Sequence, residues 1–395
     1  MLIALCGAYI SVIVGCISTS QAGADPGLTL GNAERESNAS PGVDVTPSRL
    51  ASITDGWKTD FGRLSVPISE IQSGGPTRDG IPPIDAPQFV SNQDARIWLK
   101  LHEPVVTLEV NGEARAYPLQ ILVWHEIVND TVGGRPVSLT YCPLCNLAIA
   151  FDREIDGETY NFGTTGYLRQ SNLVMWDRQT ESWWQQSTGE AIVGARTGTR
   201  LAVYPSAIAS FEDFQSTYPR GAVLSRDTGF IRGYGRNPYP GYDDVRASPF
   251  LFSGSIDERL KSLQRVATVN VGHDSTAYPF TELENVSVVQ DTVAGQDLVV
   301  LFARGTRSAL DRGEMADSRD VGATGVFRPS VGGRTLSFLA RGGAIFDAET
   351  DSQWNVLGHA VAGALVGSRL EPITHGNHFW FCWVAFQPST RVWTR

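Results

Sequence analysis

Positive charge is in short supply in this sequence: 32 Lys and Arg stand against 42 Asp and Glu in 395 residues, for a net charge of -10. No basic stretch alternates with aromatic residues in the way a nucleic-acid groove requires, so nucleic acid is excluded as an expected partner. The apolar run from Leu2 to Val14 is too short to cross a bilayer as a stable helix. A helical bundle is equally poorly supported, because 40 Gly and 21 Pro, with 10 Trp and 17 Phe, fit many short strands joined by turns. What the chain does have is apolar content, 42%, enough for two ordinary cores.

The first sixteen residues fit the apolar core of an export signal, and Ile13-Val14-Gly15-Cys16 resembles a lipobox in which Cys16 becomes a lipidated N-terminus. No Lys or Arg occurs before Arg35, a departure from the positive opening of such signals. Residues 17–50 are dominated by Ser, Thr, Gly, Asn and Pro and are expected to form a disordered tether. The expected location is therefore outside the cytoplasm, held to the membrane through an N-terminal lipid anchor only.

An internal repeat sets the expected domain map. Val105 to Ile149 aligns without a gap on Val266 to Leu310 with 13 identities in 45 positions, among them Ala116-Tyr117-Pro118 against Ala277-Tyr278-Pro279. Phe151 to Phe162 then pairs with Phe327 to Phe338, Asp177 with Asp347 and Trp184 with Trp354. The expectation is a strand-rich α+β chain of two tandem copies of one β-dominated domain with pseudo-twofold similarity: residues 105–225 and 266–395. Residues 51–104 form an extension packing on the first copy, and 226–265 a loop rich in Gly, Pro and Tyr that covers a cleft. Asn111-Gly112 and Asp156-Gly157 mark hairpin turns. Helices are expected at Leu119 to Val128 and near Ile208 to Thr217.

Residues required by the fold should occur in both copies, so reactive residues present in one alone call for another explanation. Cys142 is opposite Ala303, Cys145 opposite Thr306 and His125 opposite Val286. Cys142-Pro143-Leu144-Cys145-Asn146 falls between two predicted strands and resembles a metal knuckle, with Asn146 suited to a left-handed turn. Such knuckles need further ligands. His125 is the first candidate and His378 the better of the pair His375 and His378. The site expected from these residues binds one transition metal ion, copper, zinc or iron, through Cys142, Cys145, His125 and His378. Two other readings stay open for the cysteine pair: a thiol–disulfide redox couple, and a structural disulfide. Cys382, in an aromatic run, reads as a buried inert thiol. Met175 reads as core, with a soft-ligand role as the alternative.

The motifs AYPLQILVWHEIVNDTVGG (116–134), YCPLCN (141–146), SNLVMWDRQTESWWQQ (171–186) and HFWFCWVAF (378–386) resemble the domain-of-unknown-function family numbered 3179. GWKTDF, DGIPPID, RDTGF and NPYPGYD complete the resemblance over about residues 55–395. Cys382 stands where that resemblance leads one to expect a small residue such as Ala. It implies an extracytoplasmic prokaryotic protein and brings no established activity. The function expected from the residues is a metal-dependent oxidoreductase, with a metal carrier or a thiol–disulfide redox protein as alternatives. Its partner is expected to be a small molecule or a metal-donor or metal-acceptor protein.

Overall fold

Asn111 and Gly112 both adopt positive φ, 50° and 82°, the mirror-image turn whose twist matches that of two flanking strands. They join Pro104–Val110 to Glu113–Pro118 in an antiparallel hairpin with Val105 opposite Pro118 and Val110 opposite Glu113. Pro118 leads into a short helix, Leu119–His125, whose residues are nearly all buried. The helix stops where Glu126 turns to φ 58°, and a second hairpin, Ile127–Val132 with Arg135–Cys142, begins at once. These elements come from a computed structural model that describes residues 53–395. The expected export signal, Cys16 and the tether to residue 50 lie outside the described residues.

Arg135–Cys142 continues through the turn Pro143–Cys145 into Leu147–Asp152, giving a four-stranded sheet closed at its edge by Val203–Tyr204. A five-stranded sheet carries Phe162–Arg169, Asn172–Asp177 and Trp183–Gln185, with Ile71–Ser73 from the N-terminal extension on its edge. In that extension Trp57 meets the rings of Trp176 and Trp183 edge-on, at 5.4 and 5.0 Å. A third sheet sets Ser206–Ser210 beside the first hairpin. Ser210 then caps the helix Phe211–Thr217 in a capping box with Asp213, which satisfies two otherwise unpaired backbone donors.

The later part of the chain runs through Arg265–Val271, Asp274–Pro279, the helix Phe280–Val286, Val288–Val293 and Gln296–Ala303. It continues to His375–Phe379 and the helix Trp380–Phe386, and closes with the strand Arg391–Val392 beside Asp274–Pro279. The architecture is thus a strand-rich α+β fold of many small sheets. One apolar core draws on distant parts of the chain: Cys142, Cys145, Leu147 and Met175 pack in the same cluster as Leu310, Phe379, Phe381 and Cys382. Two buried Asp–Trp pairs recur in the two parts of the chain. Asp177 accepts from the indole of Trp184 at 2.8 Å, and Asp347 accepts from that of Trp354 at 3.0 Å.

Candidate functional site

Cys142 ends its strand pairing with Leu147, so the intervening residues must reverse the chain in a tight turn. Pro143 presets the φ of that turn, and Asn146 completes it in the left-handed region at φ 51°, ψ 37°. The turn brings the backbone N–H groups of Leu144 and Cys145, together with that of Leu173 from the adjoining sheet, onto the Cys142 sulfur. Cys142 is a free thiol and only 2% exposed.

Cys145 does not pair with Cys142. It forms a disulfide with Cys382 across 237 residues of sequence, with the two Cα atoms 5.5 Å apart. The helix Trp380–Phe386 docks its apolar face on the first sheet's core, and this places Cys382 against the turn. The expectation of an inert Cys382 thiol is corrected accordingly. The sulfurs of Cys142 and Cys145 each lie 3.8 Å from the carbonyl oxygen of Ser171, so the free thiol and the disulfide occupy one buried corner.

The four residues expected to bind a metal are not brought together. His125 is buried, but its ring is engaged at both ends: Nδ1 with the Pro82 carbonyl at 2.7 Å and Nε2 with the Tyr234 hydroxyl at 2.6 Å. Burial lowers its basicity. His378 packs on the ring of Trp383 with centroids 4.8 Å apart, and its Nδ1 is buried without a hydrogen-bond partner. Burial, reinforced by His375, pushes its imidazole down to about 3. The Cys145 sulfur is committed to Cys382 and offers no thiolate to a metal. No group of three or more His, Cys, Asp or Glu side chains among the described residues is placed to hold a metal ion. Met175 is fully buried in the core.

What the fold sets beside Cys142 is Glu126. The backbone that turns through φ 58° at this residue sends its side chain inward, while the ring of neighbouring His125 goes to Pro82 and Tyr234. No described donor hydrogen-bonds its carboxylate, and burial pushes the acid up to about 8. Burial also pushes the Cys142 thiol up to about 12, with the charge of Glu126 adding to the rise and the three backbone N–H groups opposing it. Thiol and carboxyl share a cavity of about 90 Å³ whose wall includes Leu144, Leu173, Tyr239 and Phe250.

Residues 226–265 supply the outer wall. The Tyr242 hydroxyl donates to the Leu144 carbonyl at 3.0 Å, Ser171 donates to the Phe250 carbonyl and Gln72 to the Leu251 carbonyl. The segment is anchored by Asp243, whose side chain is fully buried against Arg265 at 2.7 Å, Arg319 at 2.9 Å and the hydroxyl of Ser308. Burial alone would raise this carboxyl, yet Arg265, Ser308 and Arg319 hold it below the ordinary range.

Glu126 is the residue that sequence reasoning passed over. It stands opposite Ser287 in the internal alignment, the same kind of mismatch that marked His125 one position earlier.

The family model described as "Protein of unknown function (DUF3179)" matches residues 78–390. No curated protein and no solved structure matches the chain. The match takes in the helix Leu119–His125, Glu126, the CPLC turn, the outer wall and Cys382, and leaves GWKTDF at 56–61 outside it. The chain therefore belongs to the DUF3179 family.

Proposed function

We propose that this protein is an exported thiol–disulfide redox protein in which Cys142 is the reactive thiol and the Cys145–Cys382 disulfide its internal exchange partner. One observation carries the proposal: a free sulfur and a disulfide sulfur sit on the same carbonyl, 3.8 Å away in each case. In the exchange, the Glu126 carboxylate takes the proton from Cys142 and the resulting thiolate attacks the sulfur of Cys145. The Cys142–Cys145 bond forms as the Cys145–Cys382 bond breaks, and Cys382 leaves as a thiolate that is then protonated. No electrons are gained or lost in this step.

Its consequence is access. Cys145 and Cys382 are fully buried, whereas Cys142 lines the cavity. Once Cys142 carries the disulfide, an external thiol attacks its sulfur from the cavity, forms a mixed disulfide and releases the Cys145 thiolate. A second external thiol resolves the mixed disulfide. Two thiols become one external disulfide, and the protein's disulfide is reduced by the same two electrons.

The two halves are proposed to be copies of one unit. In support, both run hairpin, helix, hairpin; the helices end in left-turned residues, Glu126 at 58° and Ser287 at 59°; and the Asp177–Trp184 pair has a counterpart in Asp347–Trp354. On that reading the second copy keeps the scaffold and lacks the thiol and the acid. Export and a lipid anchor at Cys16 are proposed from the sequence, and both suit a compartment where disulfides persist.

The test is the rate at which 2-mercaptoethanol reduces the Cys145–Cys382 disulfide in the full chain and in Cys142→Ser, both checked for native circular dichroism. A drop of about tenfold or more in the variant is expected, since exchange speeds depend on the attacking sulfur and on access to it. Equal rates would overturn the proposal.

A further inference from the structure

Building on that proposed exchange, we infer that the external thiol is small and uncharged, about the size of hydrogen sulfide or a two-carbon thiol, and that thiols bearing carboxylates are excluded. Size comes first. An apolar cavity of about 150 Å³ holds a benzene, so one of about 90 Å³ holds roughly four non-hydrogen atoms. The walls do not yield readily. At Gly166, with φ 80°, even an added Cβ would lie 2.0 Å from the carbonyl oxygen of Pro76, so the two segments are already in backbone contact. Gly74 donates to the Gly166 carbonyl at 2.8 Å, which ties the same wall to the N-terminal extension. On the outer side, Phe250 and Leu251 are held through their carbonyls by Ser171 and Gln72.

Charge comes second. Among the described residues the lining holds no Lys, Arg or His, and most of the surface facing the cavity is apolar, with contributions from Ile81, Leu168, Leu173 and Leu251. Among the described residues Glu126 is the one carboxyl in it. A substrate carboxylate would leave water without gaining a cationic partner and, above pH 8 where Glu126 is ionised, would also sit near a like charge, the combination buried ions tolerate least. A neutral thiol meets neither penalty, and its proton has Glu126 at hand.

The inference is tested on the full chain by single-turnover reduction of its disulfide with 2-mercaptoethanol, 3-mercaptopropionate and glutathione. Each rate is divided by that thiol's rate with a solvent-exposed reference disulfide, which removes intrinsic nucleophilicity. The normalised rate for 2-mercaptoethanol should exceed that for either charged thiol by about 100-fold or more, because an unpaired buried charge is disfavoured by at least that factor. At pH 9, where Glu126 is ionised, Glu126→Gln should narrow the gap between 2-mercaptoethanol and 3-mercaptopropionate by about tenfold as the like charge is removed, while glutathione remains excluded by size. Equal normalised rates for all three thiols on the unmodified chain would overturn the size and charge limits. If those rates also still fell in Cys142→Ser, the exchange through Cys142 would stand without the limits; if the serine variant kept the full rate with every thiol, the exchange itself would fail.

Discussion

Replacing Glu126 by Gln should make the protein more stable at alkaline pH and leave it little changed at acid pH. The acid titrates near 4.5 when solvated and is pushed up to about 8 in the folded chain. Between those values the native state holds a proton that the unfolded chain has released, so stability falls as pH rises through this window. Below it both states are protonated, above it both are ionised, and the contribution is flat. Each pH unit in the window changes stability by about 1.4 kcal/mol, so the full span is on the order of 5 kcal/mol. Gln cannot ionise and escapes the loss. The assay is urea unfolding at pH 5, 6, 7, 8 and 9 without added thiol, with both proteins carrying Cys142→Ser so that the Cys145–Cys382 disulfide can neither open nor exchange through Cys142. Taking the difference cancels every other titrating group, and unchanged m-values would show that the same surface is exposed. The variant should gain relative to its Glu126 counterpart by about 1.4 kcal/mol per unit up to pH 8. Parallel profiles would refute the assignment of Glu126 as a buried, unpartnered acid.

Three further outcomes follow from the same structure. Cys382→Ala opens a closed loop of 237 residues of separation; by loop-closure entropy the loss is roughly 5 kcal/mol, read as a lower urea midpoint, and on oxidation the variant should form the Cys142–Cys145 disulfide instead. Asp243→Ala leaves Arg265 buried and unpaired and should lower stability by about 3–5 kcal/mol in chemical denaturation, with proteolysis beginning in residues 226–265. His378→Leu should reduce acid sensitivity, because an imidazole pushed down to about 3 from 6.5 makes the folded chain lose about 1.4 kcal/mol per pH unit as pH falls below 6.5; the slope of stability between pH 4 and 6 is the readout.

Local features were legible where local chemistry fixes them. Asn111-Gly112 and Asp156-Gly157 turn as expected, with both members of each pair at positive φ. The CPLC turn joins two strands and places Asn146 in the left-handed region. Helix boundaries were less so. Leu119 to Val128 keeps its apolar periodicity, but the helix stops at His125 because Glu126 takes a left-handed conformation and Ile127 is claimed by a strand. Likewise Ile208 falls in Ser206–Ser210, and the Ser210 capping box starts the helix only at Phe211. The partner of Cys145 was not legible at all. Connectivity across 237 residues depends on how the last helix docks, and no spacing rule reaches that far. The expected metal site rests on the CPLC turn and on residues that one copy has and the other lacks, and neither fixes where a distant side chain points. The fold directs the ring of His125 to Pro82 and Tyr234 and that of His378 to Trp383, and it is Glu126 that shares a cavity with Cys142.

Disulfide mapping over time tests the proposed exchange most directly. The oxidised full chain is held without oxygen at pH 7 and pH 9 with a trace of 2-mercaptoethanol, quenched with acid, alkylated and digested, and its disulfide-linked peptides are quantified by mass spectrometry. Exchange through Cys142 predicts that a Cys142–Cys145 peptide grows in at the expense of Cys145–Cys382, faster at pH 9, with Cys382 becoming alkylated. A chain that keeps Cys145–Cys382 as its one linkage at both pH values, with Cys142 the only cysteine among these three to be alkylated, would contradict it.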